Sequence, residues 1–323
     1  MRRVLVAIVA VVAGAACGGR SSPPTGARLG PAIAAALVAA DEAREPWWCA
    51  APDDQSRPAE SIAIGARTWQ LDGGTLKLDA TGDVTIGVIA DAAGAAPATL
   101  AALGRLRGRL ERVDLVISLG GMGATRRELE AVFTALADRA VWPLIAIPGD
   151  LELVEDQAAA IATARQRGVS VIDGRRVHRI ELGRLTIALV AGAGSPARLT
   201  AGADGCTYRA EDVSAAFADL TPRAGLRILA SAEPPRSGGV DEPTGDLGLN
   251  ARSGQQIDVA LHGPTASAAS PARTGGRDGL AVPLSPGSCD ATTRLPGPYR
   301  FPSAGVLSVR GDTWTWTPVE GAK

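Results

Sequence analysis

The chain reads as an α/β protein whose sheet is covered by helices on both faces. Three observations predict this. Short apolar, β-branched runs recur between residues 84 and 261. Segments with helical spacing separate the first three of them. The runs are continuously apolar rather than alternating, as strands buried on both faces are.

Taken in order, residues 31–43 are alanine-rich and predict a helix. Trp47-Trp48-Cys49 reads as a packing anchor beside a disulfide. Residues 66–78 alternate around Asp72-Gly73-Gly74, a β-hairpin signature. Residues 84–90 form a strand. Residues 97–110 form a helix, with apolar side chains at 100, 103, 106 and 110. A second strand spans 113–119. A second helix spans 126–140, with Leu129, Val132, Phe133 and Leu136 on one face. A third strand spans 141–147 and a third helix 152–167. Strands follow at 169–172, 177–182 and 185–190, then a helix at 211–220 and strands at 226–231 and 257–261. A final hairpin, 305–310 with 313–317, turns at Gly311-Asp312. The Gly-, Pro- and Ser-rich stretches 233–256 and 263–303 each follow a strand and read as long loops over the edge where strands end.

Composition narrows the function. The 323 residues are 46% hydrophobic but only 3% aromatic, so a large core must rest on Ala, Val, Leu and Ile. A net charge of -1 gives no electrostatic footprint for nucleic acid. His178 and His262 are the only histidines.

The N-terminus predicts export. Met1-Arg2-Arg3 is basic, residues 4–13 are apolar but too short to span a bilayer, and Gly14-Ala15-Ala16 precede Cys17. The order resembles a bacterial lipobox, which implies acylation of Cys17. The expected organisation is a lipoprotein signal peptide at 1–16 and a flexible tether at 17–30. An N-terminal extension of helix and hairpin follows at 31–82, and a main domain at 83–323. The expected location is the bacterial cell envelope. Gly18, not being Asp, permits the outer membrane in a Gram-negative cell. Expected partners are the membrane, through the lipid, and an envelope protein. Cys49, Cys206 and Cys289 remain, and an oxidising compartment favours one disulfide with one thiol left over. Sequence leaves all three pairings open.

In layered α/β proteins, ligands sit beyond the carboxyl ends of strands. Those ends read Asp91-Ala92-Ala93, Gly120-Gly121-Met122-Gly123, Pro148-Gly149-Asp150-Leu151-Glu152, Ser231-Ala232-Glu233 and His262-Gly263-Pro264-Thr265-Ala266. From about residue 84 to 266, with the C-terminal hairpin, this succession resembles the calcineurin-like metallophosphoesterases. Their strand ends carry D-x-H, G-D, G-N-H-[DE], a lone His and G-H-x-H. The resemblance implies a layered α/β-β-α arrangement, a β-sandwich flanked by helices.

It also implies a site that this chain has lost. Asp91 matches the first ligand. Ala93 stands in place of its partner His, Gly121 of the bridging Asp, Asp150 of the ligand Asn and Leu151 of the catalytic His. Ala232, Pro264 and Ala266 replace the remaining histidines. Two-metal hydrolysis needs imidazoles and a bridging carboxylate to hold ions ~3.5–4 Å apart. The expectation is therefore no catalytic residue and no cofactor. The alternative is an atypical phosphoesterase using one divalent ion on Asp91 and Asp150, with Glu152 and Glu233 nearby. Against it, Asp150 and Glu152 suit a helix N-terminus, Asp91 a loop organiser and Glu233 a solvated position. A third reading is an unrelated exported binding protein whose Gly120-Gly121-Met122-Gly123 turn cradles an anion.

Overall fold

A computed structural model describes residues 49, 59–79, 82–194, 199–200, 205–220, 224–234, 257–263, 269–277, 282–292 and 303–320. In chain order its elements begin with strands β1 (Glu60–Ile64), β2 (Arg67–Asp72), β3 (Thr75–Leu78) and β4 (Val84–Ile89). Helix α1 (Pro97–Arg109), β5 (Leu115–Leu119), α2 (Arg126–Ala137), β6 (Leu144–Ile147), α3 (Val154–Gln166) and β7 (Val171–Asp173) follow. Then come β8 (Arg179–Leu182), β9 (Leu185–Val190), α4 (Ala210–Leu220), β10 (Arg227–Ser231) and β11 (Val259–His262). The chain closes with β12 (Arg273–Gly276), β13 (Val282–Leu284), β14 (Ser303–Arg310) and β15 (Thr313–Glu320).

The strands form two mixed sheets, one ordered β1-β2-β3-β8-β9-β10-β11-β13 and the other β12-β15-β14-β4-β5-β6-β7. Strands β4 to β7 run parallel, as do β9, β10, β11 and β13. Their inner faces meet: Ile86, Ile117 and Ile145 of one sheet belong to the same apolar cluster as Ile187, Ile228 and Val259 of the other. Outward residues such as Ile89, Val116 and Leu144 pack under Leu103 of α1, Phe133 of α2 and Ile161 of α3. Ala188 and Val190 pack under Phe217 and Leu220 of α4. The architecture is a helix-flanked β-sandwich, as the resemblance implies; in place of the one sheet covered on both faces that the strand pattern predicts, two sheets bury their inner faces on each other and their outer faces under helices. Each fully buried Leu or Ile contributes roughly 1.5–3 kcal/mol by leaving water.

Local signals explain the helix starts. Pro97 opens α1, where a missing N–H is harmless. Thr125 and Glu128 form a reciprocal capping box before α2. Helix α3 begins at Val154 with no side-chain cap. Glu152, expected at the N-terminus of this helix, is therefore free for another task.

Two expectations need correction. Within 263–303, read as a loop, β12 and β13 are edge strands of the two sheets. The hairpin 66–78, assigned to an N-terminal extension, joins the main sheet through parallel pairing of β3 with β8. Helix 31–43, Trp47-Trp48, Cys17 and most of the loop 233–256 lie outside the described residues. None of the described helices is long and apolar enough to cross a membrane. Cys49 and Cys206 form the disulfide, and Cys289 is free and buried.

Candidate functional site

The parallel strands deliver their carboxyl ends to one edge of the sandwich, and the loops there are stitched by backbone hydrogen bonds. Asp91 N–H donates to Gly120 O at 2.9 Å, Ala93 N–H to Gly121 O at 2.9 Å, and Gly94 N–H to Met122 O at 3.2 Å. Asp91 and Ala93 adopt φ of 53° and 50°, a region that side chains other than glycine seldom visit.

Glycine lets these loops approach closely. A Cβ placed on Gly120 would lie 2.7 Å from the Gly149 Cα and 3.2 Å from the Ala232 Cβ. One on Gly121 would lie 2.9 Å from the Asp91 Cα and 3.2 Å from its Oδ1. Both glycines have positive φ, 80° and 72°. Backbone contact thus leaves no room for a side chain at residue 121.

Glu152 ties the edge together from beneath. It is 1% exposed. Its Oε1 accepts from Met122 N–H at 2.6 Å and its Oε2 from Gly149 N–H at 2.8 Å. Burial pushes its pKa above the ordinary carboxylate value, while the backbone donors oppose that rise. No sequence signal beyond its place after Asp150 marks this role.

A segment near the C-terminus completes the edge. Cys289 N–H donates to Ala90 O and Asp290 N–H to Asp91 O, each at 2.9 Å. Ser288 Oγ donates to Asp91 O at 2.9 Å. Burial raises the Asp91 carboxyl pKa; the Ser288 hydroxyl opposes this, while Asp290 and Asp150 add to it. Asp290 turns its carboxylate towards Thr292 N–H, 2.7 Å, and Thr292 Oγ1, 2.6 Å. Sequence reasoning missed this segment, which lies in a Pro- and Gly-rich stretch with no motif.

The other candidates divide. Asp150 is exposed, and its backbone carbonyl accepts from Thr200 N–H at 2.9 Å. Leu151 is half-buried and Ala93 is exposed. Ala232 packs against Gly120 and Gly149. Glu233, expected in solvent, is 8% exposed and accepts from Gly194 N–H at 2.9 Å and Tyr208 Oη at 3.1 Å. His262 ends β11, and its Nδ1 donates to Gly263 O at 2.7 Å. Burial holds its pKa below the usual imidazole value. Pro264 and Ala266 lie outside the described residues.

The residues present do not fit a two-metal centre. Ala93, Gly121, Leu151 and Ala232 offer no donor side chain, and Glu152 and Glu233 are spent on internal partners. Among the described residues, no group of three or more His, Cys, Asp or Glu side chains is arranged to hold a metal ion. In the glycine turn 120–123, Glu152 already accepts from Met122 N–H, so that donor is not open to an anion.

No protein-family model matches the chain, and no curated protein matches it. Among solved structures, it is similar to TT1561 of Thermus thermophilus, at 15% identity and a TM-score of 0.47, over 70% of this chain and 94% of that one. It is similar to a putative 5'-nucleotidase from Staphylococcus aureus, at 11% identity and 0.48, over 75% of this chain and 55% of that one. It is also similar to the purple acid phosphatase PPD1 of yellow lupin, Lupinus luteus, at 10% identity and 0.46, over 77% and 56%.

Proposed function

We propose that this chain is a lipid-anchored envelope protein built on a degenerate calcineurin-like phosphoesterase domain. On this reading it acts by binding rather than by phosphoester hydrolysis. The supporting observation is the closed strand-end edge. Gly121 stands where the resemblance places a bridging carboxylate, and its backbone lies against Asp91 with no room for a side chain. Glu152 draws Met122 and Gly149 together through their N–H groups, a cross-link made within the protein. Hydrolysis would need an ion-bound hydroxide poised over this edge. The donors for two ions are not present in the residues described.

The anchor belongs to the same reading and rests on the order of residues 1–17. A doubly or triply acylated Cys17 would hold the chain stably at a membrane. The test has two arms. Mass spectrometry of the mature N-terminus is expected to find acylated Cys17, and Cys17→Ser is expected to release the protein into the soluble fraction. With bis(p-nitrophenyl) phosphate and Mn²⁺, wild type and Asp91→Ala are expected to give the same rate. A wild-type rate well above that of Asp91→Ala would overturn the non-hydrolytic reading and leave the anchor untouched.

A further inference from the structure

A cavity of about 440 Å³ opens beside the closed edge, between α4, the outer face of β8 and β9, and the turn at Gly174 and Arg175. That volume lies within the roughly 300–1,000 Å³ of ordinary small-molecule sites. Its polar lining includes Arg175, His178, Arg179, Tyr208, Asp212 and Asp219. Two arginines face two aspartates, so the lining carries no net bias in charge.

The charged groups are also engaged already. Arg175 binds Asp173 through Nη2 at 2.6 Å and Nε at 3.1 Å. Arg179 binds Asp219 at 2.6 Å and Glu181 at 2.9 Å. The Asp212 carboxylate accepts from Arg209 N–H at 2.7 Å. A charged ligand would meet an opposing charge already paired beside Arg175, Arg179 and Asp219, so these pairs offer it no uncompensated partner. A neutral hydroxyl group needs none. A guanidinium has five N–H groups and a carboxylate about four lone-pair sites, so each pair keeps donors and acceptors to spare. Side by side, they match the alternating donor and acceptor character of neighbouring hydroxyls. Ala191, Ala215 and Ala218, the less buried apolar residues of the lining, supply surface for the C–H face of a ring.

We propose that this cavity binds a small neutral polyhydroxylated molecule, of mono- or disaccharide size. The walls are fixed in advance. The disulfide of Cys206 holds the segment leading to Tyr208, and Tyr208 Oη is committed to Glu233 beside the closed edge. The inference stands on this cavity alone and does not depend on whether the neighbouring edge has catalytic activity.

The test uses the full-length protein in a detergent without a sugar headgroup. Glucose, N-acetylglucosamine, trehalose and myo-inositol are titrated by calorimetry, with glycine and inorganic phosphate as charged probes. At least one neutral probe is expected to bind in the millimolar range or better, and the charged probes are not. Ala218→Phe, which fills the cavity from the exposed side of α4, and Asp212→Asn, which removes an acceptor, are each expected to weaken binding about tenfold or more. Thermal melts establish that each variant is folded; if Ala218→Phe is not, Asp212→Asn decides. The proposal is overturned if no neutral probe binds up to about 100 mM. It is also overturned if binding survives the folded variants, or if glycine or phosphate binds in the cavity.

Discussion

Gly121 carries the proposal of a closed strand-end edge in one residue. A carboxylate introduced there would need a side chain at φ 72° and a Cβ 2.9 Å from the Asp91 Cα. Left-handed backbone costs about 1–2 kcal/mol and the clash a similar amount. Gly121→Asp is therefore expected to lower stability by about 3 kcal/mol in urea unfolding and to restore no metal binding; a neutral effect would contradict the closed edge. Glu152→Ala leaves the Met122 and Gly149 N–H groups without their buried acceptor. It should cost about 3 kcal/mol, and Glu152→Gln, which keeps one acceptor oxygen, should cost less. His262 supplies the pH dependence. Its folded pKa lies below the ordinary 6.5, so the unfolded chain binds the proton more readily. Its contribution is present above pH 6.5 and is lost as pH falls through the folded value. Measured against His262→Gln, wild-type stability should drop between pH 8 and pH 5; a flat difference would contradict the burial of this ring. At this scale the sequence shows plainly that Ala93, Gly121, Leu151 and Ala232 bring no donor side chain to the strand ends. It does not show that Glu152 and residues 288–290 take over the edge, because hydrogen bonds to backbone N–H groups leave no motif.

The elements follow sequence periodicity where both faces are buried. Strands β4, β5, β6, β9 and β10 and all four described helices stand within a few residues of their expected positions. The three strands that the sequence conceals, β1, β12 and β13, are all sheet edges. An edge strand meets fewer neighbours and carries a weaker apolar pattern. In β12 the sequence is Arg-Thr-Gly-Gly, and in β13 Pro283 sits mid-strand, which only an edge tolerates. Helix α2 gives the sharpest test at this scale. Thr125→Ala removes the acceptor for Glu128 N–H and the reciprocal box. It should cost about 1 kcal/mol, read as a shift in the urea midpoint with an unchanged slope.

For the whole molecule, the sandwich gathers the carboxyl ends of its parallel strands at one edge and closes that edge from several directions. Parallel strands bring their ends together, and glycine contacts, Glu152 and the 288–290 segment hold them. The disulfide joins residue 49 to that region across 157 residues of sequence. Cys206→Ser should lower stability by about 2–5 kcal/mol under oxidising conditions, the usual effect of losing a disulfide. Cys289 should resist thiol reagents until the protein unfolds, since burial pushes its pKa up to about 12.

The central claim is that this fold has no working metal centre, and elemental analysis tests it most directly. The full-length protein in detergent is incubated with Mn²⁺, Zn²⁺, Fe²⁺, Mg²⁺ and Ca²⁺, desalted, and its metal content measured beside Asp91→Ala and Asp150→Ala. Near-zero metal, equal in all three proteins, is the result predicted. One or more equivalents bound by the wild type and lost in either variant would contradict it.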